Sequence, residues 1–327
     1  MNDNSRPTVG FIGLGSMGAA MASNLQKAGY RLVVNDKRRE AAATHMQAGA
    51  IWADTPRALA EQCELVFSCI PGPPQIEEVA LGPDGILAGI RPGHVYFEMS
   101  TSTPGLLKRL HSAFAERGAH MLDAPISGGP RGAQRAKLGI WVGGEKSVYQ
   151  RYEPVLRAMG DQPVHIGEVG AGLVTKLVHN CASQATQASI AEAFVLGVKA
   201  GADPLSLWKA IRQGMIGRRR VFDDLIDEFL PGNYDQPTAA LSIVYKDIKS
   251  ATDLGRELGV PLRIANLAFA DIQEAMNRGW ADRDRRCVML LPQERVGVSI
   301  KVDPAALQKV LDEDPAAPTD VKHGEGA

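Results

Sequence analysis

Val9-Gly10-Phe11-Ile12-Gly13-Leu14-Gly15-Ser16-Met17-Gly18 is the stretch that decides the fold. An apolar run from Val9 to Ile12 is followed by three glycines in G-x-G-x-x-G spacing. An amphipathic segment with Met21, Asn24-Leu25 and Ala28-Gly29 comes next. This reads as a buried strand, a tight turn and a helix start, the arrangement that holds a dinucleotide pyrophosphate. Gly13 permits the turn, Gly15 lets backbone approach phosphate, and Gly18 lets helix and strand pack closely. The helix start offers unpaired N–H groups and the positive end of its dipole to an anion. Gly13, Leu14, Gly15, Ser16, Met17 and Gly18 are therefore candidate cofactor contacts.

Working outward, the first half alternates apolar runs with helical patterns, which implies βαβ units and a parallel sheet. Expected strands are Val9–Leu14, Leu32–Asn35, Leu65–Ile70, Val95–Glu98, Met121–Ala124, Gly139–Gly143 and Val164–Ile166, with a helix near Val148–Ala158. Thr55-Pro56 and Thr103-Pro104 each put a hydroxyl at an N-cap and proline at the first helical position. After Gly167 the pattern changes. Gly170-Ala171-Gly172 opens a helix reaching about Ala200, on the order of 40 Å long at 1.5 Å per residue. Its apolar residues cover much of its circumference, so burial between neighbours is expected. Helices are also expected from Asp203-Pro204 and near Val221–Phe229, Ala239–Leu258 and Leu262–Arg278. A weak strand pattern covers Val296–Val302. The reading is a Rossmann-type doubly wound parallel sheet over residues 1–168 and an all-α substrate and oligomerisation domain over 169–300. Residues 301–327 form a tail, largely disordered, with a possible short helix at Pro304–Leu311.

Composition narrows the function classes. The chain of 327 residues has a net charge of −1, with no basic stripe for nucleic acid and no polybasic run for a membrane surface. No apolar segment is long enough to span a bilayer. The Met1–Pro7 segment is polar, without a secretory-leader core, and the four cysteines have no disulfide or metal spacing. A cytoplasmic protein with reduced thiols and no metal is expected.

Three sets of residues carry chemistry. At the end of the second strand lie Asn35 and Asp36, candidate cofactor contacts. An acid about twenty residues past the glycine turn accepts ribose hydroxyls and favours NAD. The adjoining Lys37, Arg38 and Arg39 suit the 2′-phosphate of NADP instead, so both coenzymes stay open. Ser127-Gly128-Gly129 can turn several N–H groups inward, a concavity that suits a carboxylate. The same spacing also fits an ordinary strand-to-helix turn. Lys176 and Asn180, four apart, share one helix face near the positive end of the helix, which with partial burial favours a neutral, proton-accepting amine, while the same pair also fits a solvated helix face. His179 reads as a packed histidine.

These blocks together resemble the β-hydroxyacid dehydrogenase family, which includes 3-hydroxyisobutyrate dehydrogenase and tartronate semialdehyde reductase and shares a fold plan with 6-phosphogluconate dehydrogenase. The resemblance runs from about Val9 to Asp284 and rests on the glycine signature, Ser100-Thr101 with Pro104, Asp123-Ala124-Pro125-Ile126-Ser127-Gly128-Gly129, Gly170-Ala171-Gly172 with Lys176 and Asn180, and Lys246-Asp247. It implies hydride transfer between NAD(P) and a small β-hydroxy acid or its semialdehyde or keto form. Lys176 is then the general acid/base, Ser127, Gly128 and Gly129 hold the substrate carboxylate, and Asn180 orients the substrate. Ser100, Thr101 and Lys246 line the nicotinamide side, with Pro71 and Gly72 along the cofactor. A homodimer or homotetramer is implied. Departures are His179 where an asparagine is usual, Glu98 for a usual aspartate, Ala136-Lys137 for a Gly-Thr type step, and Arg285-Arg286 late in the chain. Arg218-Arg219-Arg220 read as a solvated basic turn that could instead reach a second anionic group of the substrate. The alternatives are an NADPH-dependent aldehyde or imine reductase of the same fold and a non-catalytic dinucleotide-binding module.

Overall fold

The computed structural model describes residues 6–199, 201–214, 225–257 and 262–312. The chain packs as two compact units, Met1–His179 and Asn180–Ala327.

In the first unit the strands are β1 (Val9–Ile12), β2 (Leu32–Asn35), β3 (Ile51–Trp52), β4 (Leu65–Ser68), β5 (Val95–Glu98), β6 (His120–Asp123), β7 (Ile126–Ser127), β8 (Gly139–Gly143) and β9 (Gln162–Gly167). Helices α1 (Gly18–Lys27), α2 (Ala43–Gln47), α3 (Pro56–Ala60), α4 (Pro73–Leu81), α5 (Ile86–Gly89), α6 (Pro104–Glu116), α7 (Gly129–Gln134) and α8 (Lys146–Arg157) fill the connections. The sheet runs β3-β2-β1-β4-β5-β6-β8-β7, with β9 on β8. All pairs from β3 to β6 are parallel; β8 lies antiparallel to β6 and β7. This is the doubly wound order, with its switch point between β1 and β4.

β1, β2, β4 and β5 are buried at every residue, as continuous apolar runs covered by helices on both faces must be. Register is pinned by an aromatic row. Phe11, Phe67 and Phe97 are aligned partners on β1, β4 and β5, with ring centroids 6.2 and 5.2 Å apart in stacked geometry. The next row, Ile12, Ser68, Glu98 and Asp123, therefore lies level at the carboxyl ends of four strands. The expected caps form: Thr55 Oγ1 accepts from Ala58 N–H at 3.0 Å and Thr103 Oγ1 from Leu106 N–H at 3.4 Å.

Helix α9 (Ala171–Lys199) carries the chain from the first unit into the second. Leu173 and Leu177 are buried, but Val174 and Val178 are exposed at 42% and 62%, so burial round its start is one-sided. The second unit is helical: α10 (Pro204–Gln213), α11 (Leu241–Glu257), α12 (Arg263–Asn277), α13 (Leu290–Val296) and α14 (Pro304–Asp312). Asp203 caps α10 through Ser206 N–H at 2.8 Å. Trp208, Phe229, Leu241, Ile248 and Ile272 lead its core.

Two expectations are corrected. Val296–Val302 forms no strand. Val302 N–H donates to Leu230 O and Ile300 N–H to the Gln293 side chain, both at 2.7 Å, so no ladder develops. Residues 301–312 are ordered structure rather than tail, because Val302, Leu307 and Leu311 are buried in the second core. Arg286, one of the departures from the family pattern, is buried with its guanidinium 2.5 Å from Glu228 Oε2 and beside Asp284. Residues 313–327, Arg218-Arg219-Arg220 and the first part of the Val221–Phe229 pattern lie outside the described residues.

The Ala136 departure has a local consequence. Lys137 N–H donates to Gly132 O at 2.8 Å and Ala136 N–H to Ala133 O at 3.3 Å, a Schellman closure of α7. Ala136 occupies its left-handed position with φ of 54°. A Cβ costs about 1–2 kcal/mol there, and glycine's extra unfolded-state freedom offsets part of any gain. Ala136→Gly is expected to stabilise by about 0.5–1 kcal/mol in urea unfolding. A loss of stability would contradict this C-cap.

Candidate active site

The β1–α1 turn meets each steric demand of a phosphate loop. Gly13 has φ of +90°, and a Cβ there would lie 2.3 Å from Cys69 O. A Cβ on Gly18 would lie 1.8 Å from Gly13 O. At Gly15 nothing stands within 4 Å of the same position, so the backbone is open to a ligand. Met17, the N-cap of α1, gives the first turn no side-chain hydrogen bond. Ser16 is exposed beside it. Asp36 holds the turn from the end of β2: Leu14 N–H donates to Oδ2 at 2.7 Å and Arg38 N–H to Oδ1 at 2.9 Å. Asn35, at the end of β2, supports the turn. Its Nδ2 donates inward to Ala53 O at 2.9 Å, and its carbonyl accepts Gly13 N–H. Of the basic trio, Arg39 lies over the Trp52 ring at 5.6 Å and near Asp54. Asn24, part of the glycine signature, ties α1 to α7 by donating to Ala133 O at 2.6 Å.

On the other side of the switch point, Ser100 lies just past β5. Its hydroxyl accepts Ile70 N–H at 2.9 Å, linking it to the turn of Pro71 and Gly72. Pro71 is exposed and Thr101 half-buried.

The third group surrounds the Ser127 turn. Gly128 and Gly129 have φ of +133° and +62°, and Gly129 faces open space. A hollow of about 460 Å³ is lined by Ser127, Gly128, Gly139, Trp141, Gln162 and Val164 among others. His179 Nε2 lies 3.4 Å from Ser127 Oγ, and its ring is 5.1 Å from that of Trp141. Sequence reasoning made His179 a packing residue; it stands at the candidate carboxylate turn. Lys176, half-buried, is three residues earlier and therefore on the same side of α9.

Asp123, also unassigned from sequence, fixes where α9 begins. It is 1% exposed. Oδ1 accepts Gly170 N–H at 2.6 Å and Oδ2 accepts Leu173 N–H at 2.7 Å. Gly143 and Gly172 leave room for it, since a Cβ on either would lie 2.5 or 2.8 Å from a carboxylate oxygen. A buried acid level with a glycine-opened helix was the available signal. The carboxylate faces the positive end of α9, so Lys176 does not feel a bare helix terminus.

In the second unit, Asn180 Nδ2 donates to Asp247 Oδ2 at 2.7 Å, and Lys246 Nζ lies 3.2 Å from Asp247 Oδ1. Asp247, quoted in the motif but given no role, is the common partner of both. Among the described residues no cluster of His, Cys, Asp or Glu could hold a metal, and no helix is long and apolar enough to cross a membrane.

Two family descriptions match in succession: the NAD binding domain of 6-phosphogluconate dehydrogenase over residues 8–167 and NAD-binding of NADP-dependent 3-hydroxyisobutyrate dehydrogenase over 170–291. The chain is 32% identical to 2-(hydroxymethyl)glutarate dehydrogenase of Eubacterium barkeri, over 89% of this chain and 97% of that one. The chain belongs to the β-hydroxyacid dehydrogenase family. Its similarity to NAD-dependent L-serine dehydrogenase of Pseudomonas aeruginosa is 34% identity over 86% of this chain and 97% of the other. The structure of Mycobacterium tuberculosis 3-hydroxyisobutyrate dehydrogenase with L-serine matches with a TM-score of 0.78 and 29% identity, covering 87% and 98% of the two chains. As a β-hydroxyacid dehydrogenase family member it is an NAD(P)-dependent oxidoreductase, and the open Gly15 backbone with the Asp36 acceptor fits such a cofactor.

Because Gly15 has space around it and an ordinary φ, Gly15→Ala is expected to leave the melting temperature unchanged while weakening NAD(P)H binding about ten-fold or more. Equal affinity by reduced-nicotinamide fluorescence would remove the turn from the cofactor site. Burial pushes the Asp123 carboxyl from 3.8 up to about 6, against the pull of its N–H donors. The folded state then holds a proton that the unfolded chain releases near 3.8, so this group's contribution to stability falls as pH rises between those values. Asp123→Asn is expected to lose about 1–2 kcal/mol at neutral pH through a lost cap and to lack that slope in urea titrations from pH 4 to 6. An unchanged slope would reassign the titration.

Proposed function

We propose that the protein interconverts a small β-hydroxy acid and its semialdehyde or keto acid, with Lys176 moving the proton. The observation that carries this reading is the contact of His179 with Ser127, which turns the Lys176 side of α9 toward the candidate carboxylate turn. The substrate carboxylate docks on Ser127 and the N–H groups of Gly128 and Gly129, whose left-handed backbone turns them to one side. That contact orients the carbon bearing the hydroxyl. In the second unit, Asp247 aligns Asn180 Nδ2 and leaves the remaining amide groups of Asn180 as its hydrogen-bonding capacity.

Gly13–Gly18 and Asp36 would hold the adenosine and pyrophosphate portion of the cofactor, with Pro71, Ser100 and Thr101 toward the nicotinamide. Bound NAD(P) supplies the hydride acceptor in oxidation and the donor in reduction. In oxidation, neutral Lys176 Nζ takes the proton of the substrate hydroxyl; in reduction, the ammonium returns it to the oxygen. The ammonium also faces the oxygen as it gains negative charge, so the chain itself provides the polarising cation. Between the coenzymes, NAD is favoured, since Asp36 stands where a 2′-phosphate would be repelled and Arg39 is drawn to Trp52 and Asp54. A cytoplasmic homodimer or homotetramer completes the proposal, in keeping with the exposed Val174 and Val178 on α9.

The test is absorbance of the reduced nicotinamide across β-hydroxy acids with each coenzyme in turn. Lys176→Ala is expected to bind NADH normally and lose about 10²–10⁴ in kcat. An unimpaired kcat would dismiss Lys176, and equal kcat/KM for an alcohol lacking the carboxylate would dismiss the Ser127 dock.

A further inference from the structure

Glu98 ends β5 level with Ser68, the last residue of β4, and is wholly buried. Its Oε1 accepts Ser100 N–H at 2.6 Å, and the Ser100 hydroxyl also hydrogen-bonds the carboxyl. Its Oε2 lies 2.7 Å from Ser68 Oγ and within hydrogen-bond distance of the Tyr96 hydroxyl. Ser68 Oγ and the Tyr96 hydroxyl are themselves 2.8 Å apart. Three oxygens thus make three mutual contacts.

Counting protons decides the charge. With an ionised carboxylate the triangle holds two protons, one from each hydroxyl. One of the three contacts is then two lone pairs facing each other among wholly buried side chains. A proton on Oε2 completes the ring, and each oxygen donates once and accepts once. Among the described residues no lysine, arginine or histidine pairs with Glu98 to stabilise a buried anion. Burial also raises the carboxyl from its ordinary value, against the pull of the hydrogen bonds from Ser100, Ser68 and Tyr96.

The acid is joined to two loops. Oε1 sets Ser100 through its N–H, and Ser100 Oγ in turn accepts Ile70 N–H at 2.9 Å. One carboxyl therefore fixes the start of the β5–α6 loop and the turn of Ile70, Pro71 and Gly72. We propose that Glu98 is a neutral carboxylic acid and a positioning residue that sets the two loops under the nicotinamide half of the cofactor. This rests on the reading that the β4 and β5 ends take that half, as the doubly wound strand order implies.

The test compares E98Q, E98L and S100A with the wild type at pH 7. Glutamine keeps one donor for the ring and one acceptor for Ser100, so E98Q is expected to hold NADH within about three-fold of wild type. E98L leaves Ser100 N–H without its partner and Ser68 and Tyr96 with only each other, and its affinity is expected to fall about ten-fold or more. S100A removes the Ile70 link together with the Ser100 hydroxyl's own bond to Glu98, and is expected to weaken binding in the same direction, which keeps the test alive should E98L fail to fold. The cofactor-free infrared difference between wild type and E98Q is expected to show a protonated-carboxyl carbonyl band. Carboxylate bands in its place, or a ten-fold loss in E98Q, would overturn the neutral acid. Unchanged affinity in S100A and in any folded E98L would overturn the positioning role. If Gly15→Ala still loses affinity in that case, the cofactor placement stands and only the Glu98 proposal falls. Full affinity in Gly15→Ala would bring down the placement itself.

Discussion

The first unit's chemistry depends on one carboxylate meeting one helix end. Asp123 stands at the last position of β6 and takes the first free N–H groups of α9 on both its oxygens. Strand and helix are thereby locked at a fixed distance and rotation, with Gly143 and Gly172 cut away to admit the contact. Every side chain on the first turns of α9 inherits its direction from that lock. His179 reaches Ser127 because the helix starts where it does and has 3.6 residues per turn. Lys176 follows by the same arithmetic.

The strand ends repeat this logic along the sheet. Asn35, Ser68, Glu98 and Asp123 are the final residues of β2, β4, β5 and β6, all polar and all buried. Each directs its side chain to a backbone group or to a neighbouring polar side chain. A parallel sheet leaves its carboxyl edge with loops that must be both open to ligand and held in shape. Buried polar groups, fully hydrogen-bonded, give that stiffness where apolar packing would close the crevice.

Much of this was legible in the sequence, for identifiable reasons. Leu32–Asn35 and Val95–Glu98 are continuous apolar runs between turn signals, and the strands match them to the residue. Thr55, Thr103 and Asp203 announce their helices because a cap is a local interaction. The two-residue strands β3 and β7 left no periodicity to read. Ile300 and Val302 do bury alternately, but their N–H groups find a side chain and a loop carbonyl instead of a neighbouring strand. Asp123, His179 and Asp247 were overlooked for a common cause. Their contacts with Gly170, Ser127 and Asn180 span 47 or more residues of chain, and spacing rules see only a few residues.

Trp141 has a consequence beyond packing. The chain has four tryptophans, and Trp141 lines the hollow at Ser127 with the His179 imidazole 5.1 Å from its ring. A neighbouring imidazolium quenches indole emission, and neutral imidazole does so far less. The intrinsic fluorescence of this protein therefore carries a built-in optical signal from the carboxylate turn, one that changes with the protonation of His179 and needs no added dye.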